Sequence, residues 1–175
     1  MTDEARVPDP MRALLALPIG AALILRHRDA PKRARLAMEL APVAKRRGVL
    51  FLIAGDPLLA ARVGANGIHI PEARMIDAAR WRVRQPHWLI TVAAHSERAL
   101  LRARIAGVNA ALFAPVFRSA SHPDNPGYGV LRFLLTSQRA RIPVFALGGI
   151  SAANAERLAG AHLAGLAAIE ALLPD

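Results

Sequence analysis

Short apolar runs recur along the chain, and longer amphipathic stretches separate them. The runs are apolar at nearly every position rather than at alternate positions, as in GVLFLIAG and AALFAPVF. Strands with one wet face alternate apolar and polar residues, whereas strands covered by helices on both faces do not. The pattern therefore predicts a parallel sheet. Its seven strands are predicted at Ala21–Arg26, Val49–Ala54, Gly67–Pro71, Leu89–Ala94, Ala110–Ala114, Val144–Gly148 and Gly165–Ala168.

Helical periodicity fills most of the intervals between these runs. Ser96 and Ser151 each precede such a stretch and are good N-cap residues. Strict alternation of strands and helices leaves two architectures, a closed barrel or an open doubly wound sheet. The predicted helices are Met11–Leu17, Lys32–Arg47, Pro57–Val63, Ala73–Arg84, Ser96–Ala106, Gly129–Ala140 and Ser151–Ala159.

Polar residues gather where successive apolar runs end, in stretches such as RHRD, HIPE, AAHS and GGIS. Barrel enzymes collect their functional groups at this end of the sheet. The glycine-rich turn of dinucleotide-binding sheets is absent after the first run. We therefore predict an α/β fold of the TIM (β/α)8-type barrel, with residues 1–10 as a polar tail and residues 11–175 as the barrel domain.

The composition argues against several function classes. The chain has no cysteine, which excludes disulfides and cysteine-ligated metals. Its net charge is +10, but the arginines are scattered and aromatic residues make up only 5% of the chain, so we expect no nucleic-acid binding. The apolar stretch Met11–Leu25 is interrupted and is shorter than the roughly 20 residues that span a bilayer. We expect a cytoplasmic protein that does not bind membranes.

Two adjacent glycines, Gly148 and Gly149, end the sixth run just before Ser151. Glycines let backbone N–H groups approach an anion closely, and the start of a helix favours negative charge. The pair therefore indicates a phosphate site. The alternative is a tight turn that needs glycine only for its backbone conformation.

A second cluster of basic residues follows the first run. Arg26 and Arg28 alternate with His27, so the two guanidinium groups can point to one side of the chain while the imidazole points to the other. The planar guanidinium matches phosphate oxygens. These arginines are candidates for clamping a second anionic group, or else they belong to a charged surface loop.

Two further strand ends carry uncharged or weakly basic donors. The polar loop after the fifth run contains Ser119, Ser121 and His122, and His95 follows the fourth run. Hydroxyl and imidazole groups can donate to anionic oxygens. We interpret these residues either as ligand contacts or as solvated surface residues.

Taken together, these strand ends resemble the thiamine phosphate synthase family, which also includes the thiazole tautomerases. The resemblance implies a (β/α)8 barrel transferase that couples hydroxymethylpyrimidine pyrophosphate to thiazole phosphate and releases pyrophosphate with Mg²⁺. Such a site orients two ligands and stabilises the departing anion. The match extends from about Ile19 to Leu172, through ILRHRD, GANGIHIPE, VAAHS, APVFRSASHP, ALGGIS and GLAAIEAL.

The resemblance also implies roles for individual residues. Arg26 and Arg28 match a basic pair that grips pyrophosphate, and Gly148 and Gly149 match glycines that hold the thiazole phosphate. The implied catalytic residues are His95, His122 and Arg26. The implied ligand-binding residues are Arg26, Arg28, Arg74, Ser119, Ser121, His122, Gly148, Gly149 and Ile169.

The metal site departs from the family pattern. Asp56 is displaced by one position from the family's first metal-binding aspartate, and Arg74 stands where the second is expected. A guanidinium can neutralise pyrophosphate without a metal, so Arg74 is a candidate replacement. We predict a degraded Mg²⁺ site in which Asp56 is a weak candidate ligand.

The family opens with a strand that nothing before Met11 matches. A barrel lacking that strand exposes two unpaired edges. We consider three explanations. The N-terminal segment covers these edges, a partner subunit in a homodimer covers them, or the coding region starts further upstream and includes the missing strand.

Three functional hypotheses follow. The first is a thiamine phosphate synthase whose partners are a phosphorylated thiazole and a pyrimidine pyrophosphate. The second is a catalytically inactive or regulatory binder of thiazole phosphate or thiamine phosphate that has lost its Mg²⁺ site. The third is an arginine-rich nucleic-acid binder, whose affinity would fall steeply with salt.

Overall fold

The computed structural model describes residues 1–118, 124–159 and 163–169. Its strands form one sheet of seven strands in chain order, and all neighbouring strands are parallel. The seven parallel strands predicted from the sequence are confirmed. They are β1 (Ala22–Leu25), β2 (Leu50–Ala54), β3 (Gly67–Ile70), β4 (Leu89–Ala94), β5 (Ala110–Phe113), β6 (Val144–Ala146) and β7 (Gly165–Leu166).

Helices connect the strands, with short 3-10 turns at Glu72–Arg74 and Glu156–Leu158. The helix predicted over Ala73–Arg84 is divided, because its first residues form one of these turns. Among the described residues, no helix has both the length and the hydrophobicity to cross a bilayer. The α-helices are α1 (Pro10–Ala16), α2 (Ala30–Arg47), α3 (Pro57–Arg62), α4 (Asp77–Arg84), α5 (Glu97–Ile105), α6 (Val130–Arg139) and α7 (Ala152–Ala155).

Side chains with oxygen acceptors begin at least four of the helices, including α1, which Asp9 caps. Asp29 accepts a hydrogen bond from the N–H of Lys32 at 2.6 Å, and Ser96 accepts one from the N–H of Ala99 at 3.1 Å. Asp56 caps α3 in the same way. These caps satisfy N–H groups that have no partner within the helix.

Alternation along the strands separates two apolar layers. Leu23 and Leu25 pack in the larger core beneath the helices. Ile24 points the other way, into a smaller inner cluster with Leu52 and Leu112. Arg26 follows Ile24 by two residues, so the same alternation directs it to the carboxyl end of the inner layer.

The N-terminal segment lies between the two edges of the sheet. The N–H of Thr2 donates to the carbonyl of Ile24 at 2.9 Å, and the amino group of Met1 donates to the carbonyl of Ala168 at 2.8 Å. Thr2 and Val7 are buried. The N-terminal segment therefore covers the edges of the sheet in this structure, which is the first of the three alternatives considered from the sequence. The domain boundary predicted after residue 10 stays a prediction, although the segment before it packs against the sheet.

Candidate functional site

A cleft of about 1270 Å³ opens at the carboxyl end of the sheet. The segment after each of the seven strands contributes residues to its wall. This is the end at which barrel enzymes carry their active sites, because the loops after parallel strands converge there. The cleft is therefore the candidate site.

Six of the ligand-binding and catalytic residues predicted from the sequence line this cleft: Arg26, Arg28, His95, Gly148, Gly149 and Ile169. Asp56 and Arg74 line a separate, smaller pocket beside Trp81. The predicted loop residues Ser119, Ser121 and His122 lie outside the described residues. The strand ends thus meet as expected, while Asp56 and Arg74, the two residues assigned to the metal position, do not line the cleft.

The wall of the cleft is rich in arginine. Of the described acidic residues, Glu72 alone lines the cleft. Guanidinium groups bind phosphate oxygens through fixed pairs of N–H donors. Only two of the arginines were predicted from the sequence as site residues, because the others come from the N-terminal segment, from α2 and from the loop after β5. The arginines of the wall are Arg6, Arg26, Arg28, Arg33 and Arg118.

Two carboxylates of the N-terminal segment hold the basic stretch after β1. Asp3 Oδ2 accepts hydrogen bonds from Arg26 Nη2 at 2.7 Å and from Arg6 Nη2 at 3.2 Å. The hydrogen bond from Arg6 is the main cause that lowers the pKa of Asp3 to about 2. Glu4 Oε1 accepts from the N–H groups of Arg28 at 3.0 Å and Asp29 at 3.1 Å. The segment therefore positions Arg26 and Arg28 at the cleft.

The Gly148–Gly149 turn presents backbone N–H groups to another part of the wall. Both glycines have positive φ, at 94° and 64°. In the described ranges, the N–H groups of Gly148, Gly149 and Ile150 have no hydrogen-bond acceptor. Successive unpaired N–H groups in such a turn form a concave anion-binding site.

Asn154 fixes this turn from behind. Its Nδ2 donates to the carbonyl of Gly149 at 2.8 Å, and its Oδ1 accepts from the N–H of Ser151 at 2.9 Å. The helix predicted over Ser151–Ala159 is shorter in the structure, since α7 ends at Ala155 and continues as a 3-10 turn. Such a short helix has a small dipole, so anion affinity here depends on the N–H groups themselves.

The loop after β5 is attached to the same turn. Val116 donates its N–H to the carbonyl of Leu147 at 2.9 Å, and Phe117 donates to the carbonyl of Gly148 at 3.0 Å. Gly129, at the other end of the loop, donates to the carbonyl of Val116 at 3.1 Å. Both described ends of the loop therefore lie close to the glycine turn.

His95 lies at the rim of the cleft and is paired with Glu72. Its Nδ1 is 2.7 Å from Glu72 Oε2, and its backbone N–H donates to the same oxygen at 3.0 Å. The side chain of His95 is 58% exposed. The carboxylate therefore fixes both the ring and the backbone of a residue that stays accessible, while the catalytic role of His95 stays a prediction.

Two buried histidines at the site were not among the site residues predicted from the sequence. His69 Nδ1 lies 3.0 Å from Thr91 Oγ1, and His27 Nδ1 lies 3.2 Å from Thr2 Oγ1. Burial lowers the pKa of His27 and lowers that of His69 to about 4, with the charge of Arg26 acting in the same direction on His69. A histidine inside the apolar run GIHI was the signal that could have revealed His69.

We expect the free energy of unfolding to fall between pH 7 and pH 5 because of His69. The unfolded chain binds a proton near pH 6.5, whereas the folded chain does so near pH 4. Between these values the unfolded state holds more protons, so acid favours unfolding, by about 2 kcal/mol over this range.

Urea denaturation of His69→Gln at both pH values measures this contribution, with His87→Gln as the exposed control. The first variant is expected to lose less stability on acidification than the wild type, and the control is expected to behave like the wild type. Equal acid sensitivity in all three proteins would contradict the assignment to His69.

The carboxylates near the cleft do not fit a magnesium site. Mg²⁺ takes oxygen ligands in octahedral geometry and usually binds one or two free carboxylates. Asp56 instead accepts from Arg33 at 2.9 Å and from the N–H of Leu59 at 3.0 Å. Arg74 is paired with Asp77 at 2.8 Å. Among the described residues, no group of three potential metal ligands occurs.

The chain is similar to known proteins over nearly its whole length. The model of the family described as thiamine monophosphate synthase matches residues 3–172. A thiamine-phosphate synthase of Thioalkalivibrio sulfidiphilus is 33% identical over 141 residues, which cover 78% of this chain and 67% of that protein. One of Alcanivorax borkumensis is 32% identical over 180 residues, covering 98% of this chain and 82% of that protein.

A solved structure establishes the fold independently. A thiamine phosphate pyrophosphorylase from Pyrococcus furiosus superposes with a TM-score of 0.81 at 23% identity, over 96% of this chain and 82% of that one. The TIM-type barrel with seven visible strands is therefore confirmed. Since the family model matches nearly the whole chain and relatives above 30% identity span most of it, the chain belongs to the thiamine monophosphate synthase family.

Proposed function

We propose that the protein is a thiamine-phosphate synthase that joins hydroxymethylpyrimidine pyrophosphate to thiazole phosphate and releases pyrophosphate. One observation carries the proposal: guanidinium groups after β1 and the N–H groups of the Gly148–Gly149 turn line the same cleft. Joining two phosphorylated substrates needs two anion-binding positions within reach of each other. The names of the relatives agree with this reaction.

The residues divide between the two substrates. Arg26 and Arg28 bind the pyrophosphate, and the N–H groups of Gly148 and Gly149 bind the thiazole phosphate. The rings rest on the apolar floor of the cleft, where Leu112 and Leu147 lie. Ser119, Ser121, His122 and Ile169 complete the phosphate contacts, as the family resemblance implies.

The chemistry requires no side-chain nucleophile. The bond between the pyrimidine methylene carbon and the pyrophosphate oxygen breaks, and the electron pair leaves with the pyrophosphate. The thiazole nitrogen then forms the new bond to the methylene carbon. Arg26 stabilises the charge that develops on the departing oxygen, because guanidinium groups already in place need no reorganisation during the step. The catalytic roles of His95 and His122, the cytoplasmic location and a homodimer belong to this proposal as well.

Replacing Arg26 with alanine tests the proposal. We expect kcat/KM for thiamine phosphate formation to fall about 100-fold, since one preorganised donor to the developing anion is lost. Arg35→Ala removes the same charge from the exposed face of α2 and is expected to leave kcat/KM unchanged. Formation of thiamine phosphate from the two substrates, with and without Mg²⁺, is the measurement.

The same assay addresses the inactive binder considered from the sequence. A wild-type protein that forms no thiamine phosphate under either condition, yet binds it with micromolar affinity, would replace the synthase proposal with that alternative. Equal activity of the Arg26 and Arg35 variants would instead show that the pyrophosphate lies elsewhere.

A further inference from the structure

One guanidinium of the cleft is held in a fixed position beside the candidate metal ligand. Arg33, on α2, donates from Nη2 to Asp56 Oδ2 and from Nη1 to the carbonyl of His27, both at 2.9 Å. Its side chain is only 16% exposed, yet it lines the cleft. Arg33 therefore carries a permanent positive charge at a defined place in the wall.

The same contacts commit Asp56 to the protein. One carboxylate oxygen accepts from Arg33, and the other caps α3 by accepting from the N–H of Leu59 at 3.0 Å. A cation bound to Asp56 would have to displace the guanidinium or lie directly beside it, and two like charges in contact repel. Asp56 is thus the partner of Arg33 rather than a free ligand.

The other carboxylates nearby are also engaged. Asp3 binds Arg26, Glu4 accepts from backbone N–H groups, and Glu72 holds His95. Within the described part of the chain, none of these carboxylates belongs to a group of three or more histidine, aspartate or glutamate side chains that could hold a metal ion.

Two arginine N–H donors, in contrast, have no hydrogen-bond acceptor among the described residues. The Nε–H groups of Arg26 and Arg33 are buried without an acceptor among the described residues. Buried donors in folded proteins nearly always have a partner, so a bound anion that reaches either group gains a charge-assisted hydrogen bond.

We infer that the cleft binds a pyrophosphate-bearing ligand through guanidinium groups without a divalent cation, with Arg33 and Arg26 in its wall supplying the charge that Mg²⁺ supplies elsewhere in the family. The inference rests on the proposed function, because it describes how the same site holds its leaving group. The sequence pattern had suggested Arg74 for this role, but Arg74 does not line the cleft, whereas Arg33 does.

Calorimetric titration with inorganic pyrophosphate, in EDTA and again in Mg²⁺, tests the inference. The Kd in EDTA is expected to lie within about threefold of the Kd in Mg²⁺ or below it. In EDTA, Arg33→Gln is expected to weaken binding about tenfold or more, since a charge-assisted contact is lost. Arg35→Gln removes an exposed charge from the same helix and is expected to change nothing.

The variant Asp56→Asn tests whether Asp56 is a metal ligand or only the partner of the Arg33 guanidinium. Asparagine can still cap α3 through its single oxygen but binds Mg²⁺ poorly, and Arg33 keeps its hydrogen bond to the carbonyl of His27. We expect this variant to bind pyrophosphate within about threefold of the wild type in EDTA and in Mg²⁺. Loss of binding specifically in Mg²⁺ would show that Asp56 is a metal ligand and would overturn the inference.

The remaining outcomes distinguish this inference from the synthase proposal. Binding that appears only with Mg²⁺ overturns the inference and leaves the synthase proposal intact. Absence of pyrophosphate binding under both conditions overturns both. Equal affinities of Arg33→Gln and Arg35→Gln in EDTA would show that Arg33 does not contact the pyrophosphate. The Kd of the wild type in EDTA and in Mg²⁺ shows whether binding needs the metal, even if Arg33→Gln melts at a lower temperature. Arg33→Lys keeps the positive charge and is expected to recover part of the affinity that Arg33→Gln loses.

Discussion

Replacing Gly149 with alanine is expected to abolish binding of thiazole phosphate, with a loss of affinity of about 1,000-fold. Gly149 has φ +64°, and an added Cβ would lie 2.9 Å from both Cβ and the carbonyl oxygen of Phe117 and even closer to the carbonyl of Arg118. The turn must therefore move away from the loop after β5, and the N–H groups of Gly148, Gly149 and Ile150 move with it. Isothermal titration calorimetry measures the effect.

Gly64→Ala is the matched control for this variant. Gly64 has the same φ of +64°, but no atom lies within 4 Å of its added Cβ, and the residue precedes β3 at the opposite end of the sheet. It has the same backbone strain without the steric clash, so we expect thiazole phosphate affinity to stay at the wild-type value. Unchanged affinity in Gly149→Ala would show that the glycine pair is only a turn.

Replacing Gly67 with alanine is expected to lower the free energy of unfolding by about 3 kcal/mol or more. Gly67 pairs with Leu89 across β3 and β4. An added Cβ would lie 2.7 Å from the backbone N and C of Leu89 and closer still to its carbonyl oxygen. These atoms belong to a neighbouring strand of the ladder, so the clash cannot be relieved by rotation of a side chain.

Urea denaturation at pH 7 measures this loss, and Gly64→Ala again serves as the control. The control variant bears only the cost of an alanine in the left-handed region, about 1 kcal/mol. Equal destabilisation of the two variants would show that the strands at Gly67 can move apart and would contradict the close approach.

The strands were predictable from the sequence because burial on both faces leaves a direct trace in it. β4 has the predicted bounds, and β1 begins and ends within one residue of them. The region after β6 was less predictable. Ser151 was expected to begin a long helix, but Asn154 bonds back to the glycine turn, and side chains of this type compete with helical hydrogen bonds.

The site was predictable where its residues follow a strand directly. Arg26, His95 and the glycine pair reach the cleft because the topology brings all strand ends together. Arg33 was missed because it lies within the helix after β1, where a charged residue in an amphipathic pattern is expected to face water. His69 was missed because it interrupts an apolar run by a single position.

The sequence by itself determined the parallel α/β barrel and placed the arginine pair and the glycine pair at strand ends, because hydrophobic periodicity and turn-forming residues act over a few neighbouring positions. Only the tertiary structure decided which charges meet. Arg33 and Asp56 are 23 residues apart in the chain, as are Asp3 and Arg26, and each pair meets only in the folded structure. Ion pairing depends on distance in space, which local sequence patterns do not encode, and so the pairing of Arg33 with Asp56 is visible only in the fold.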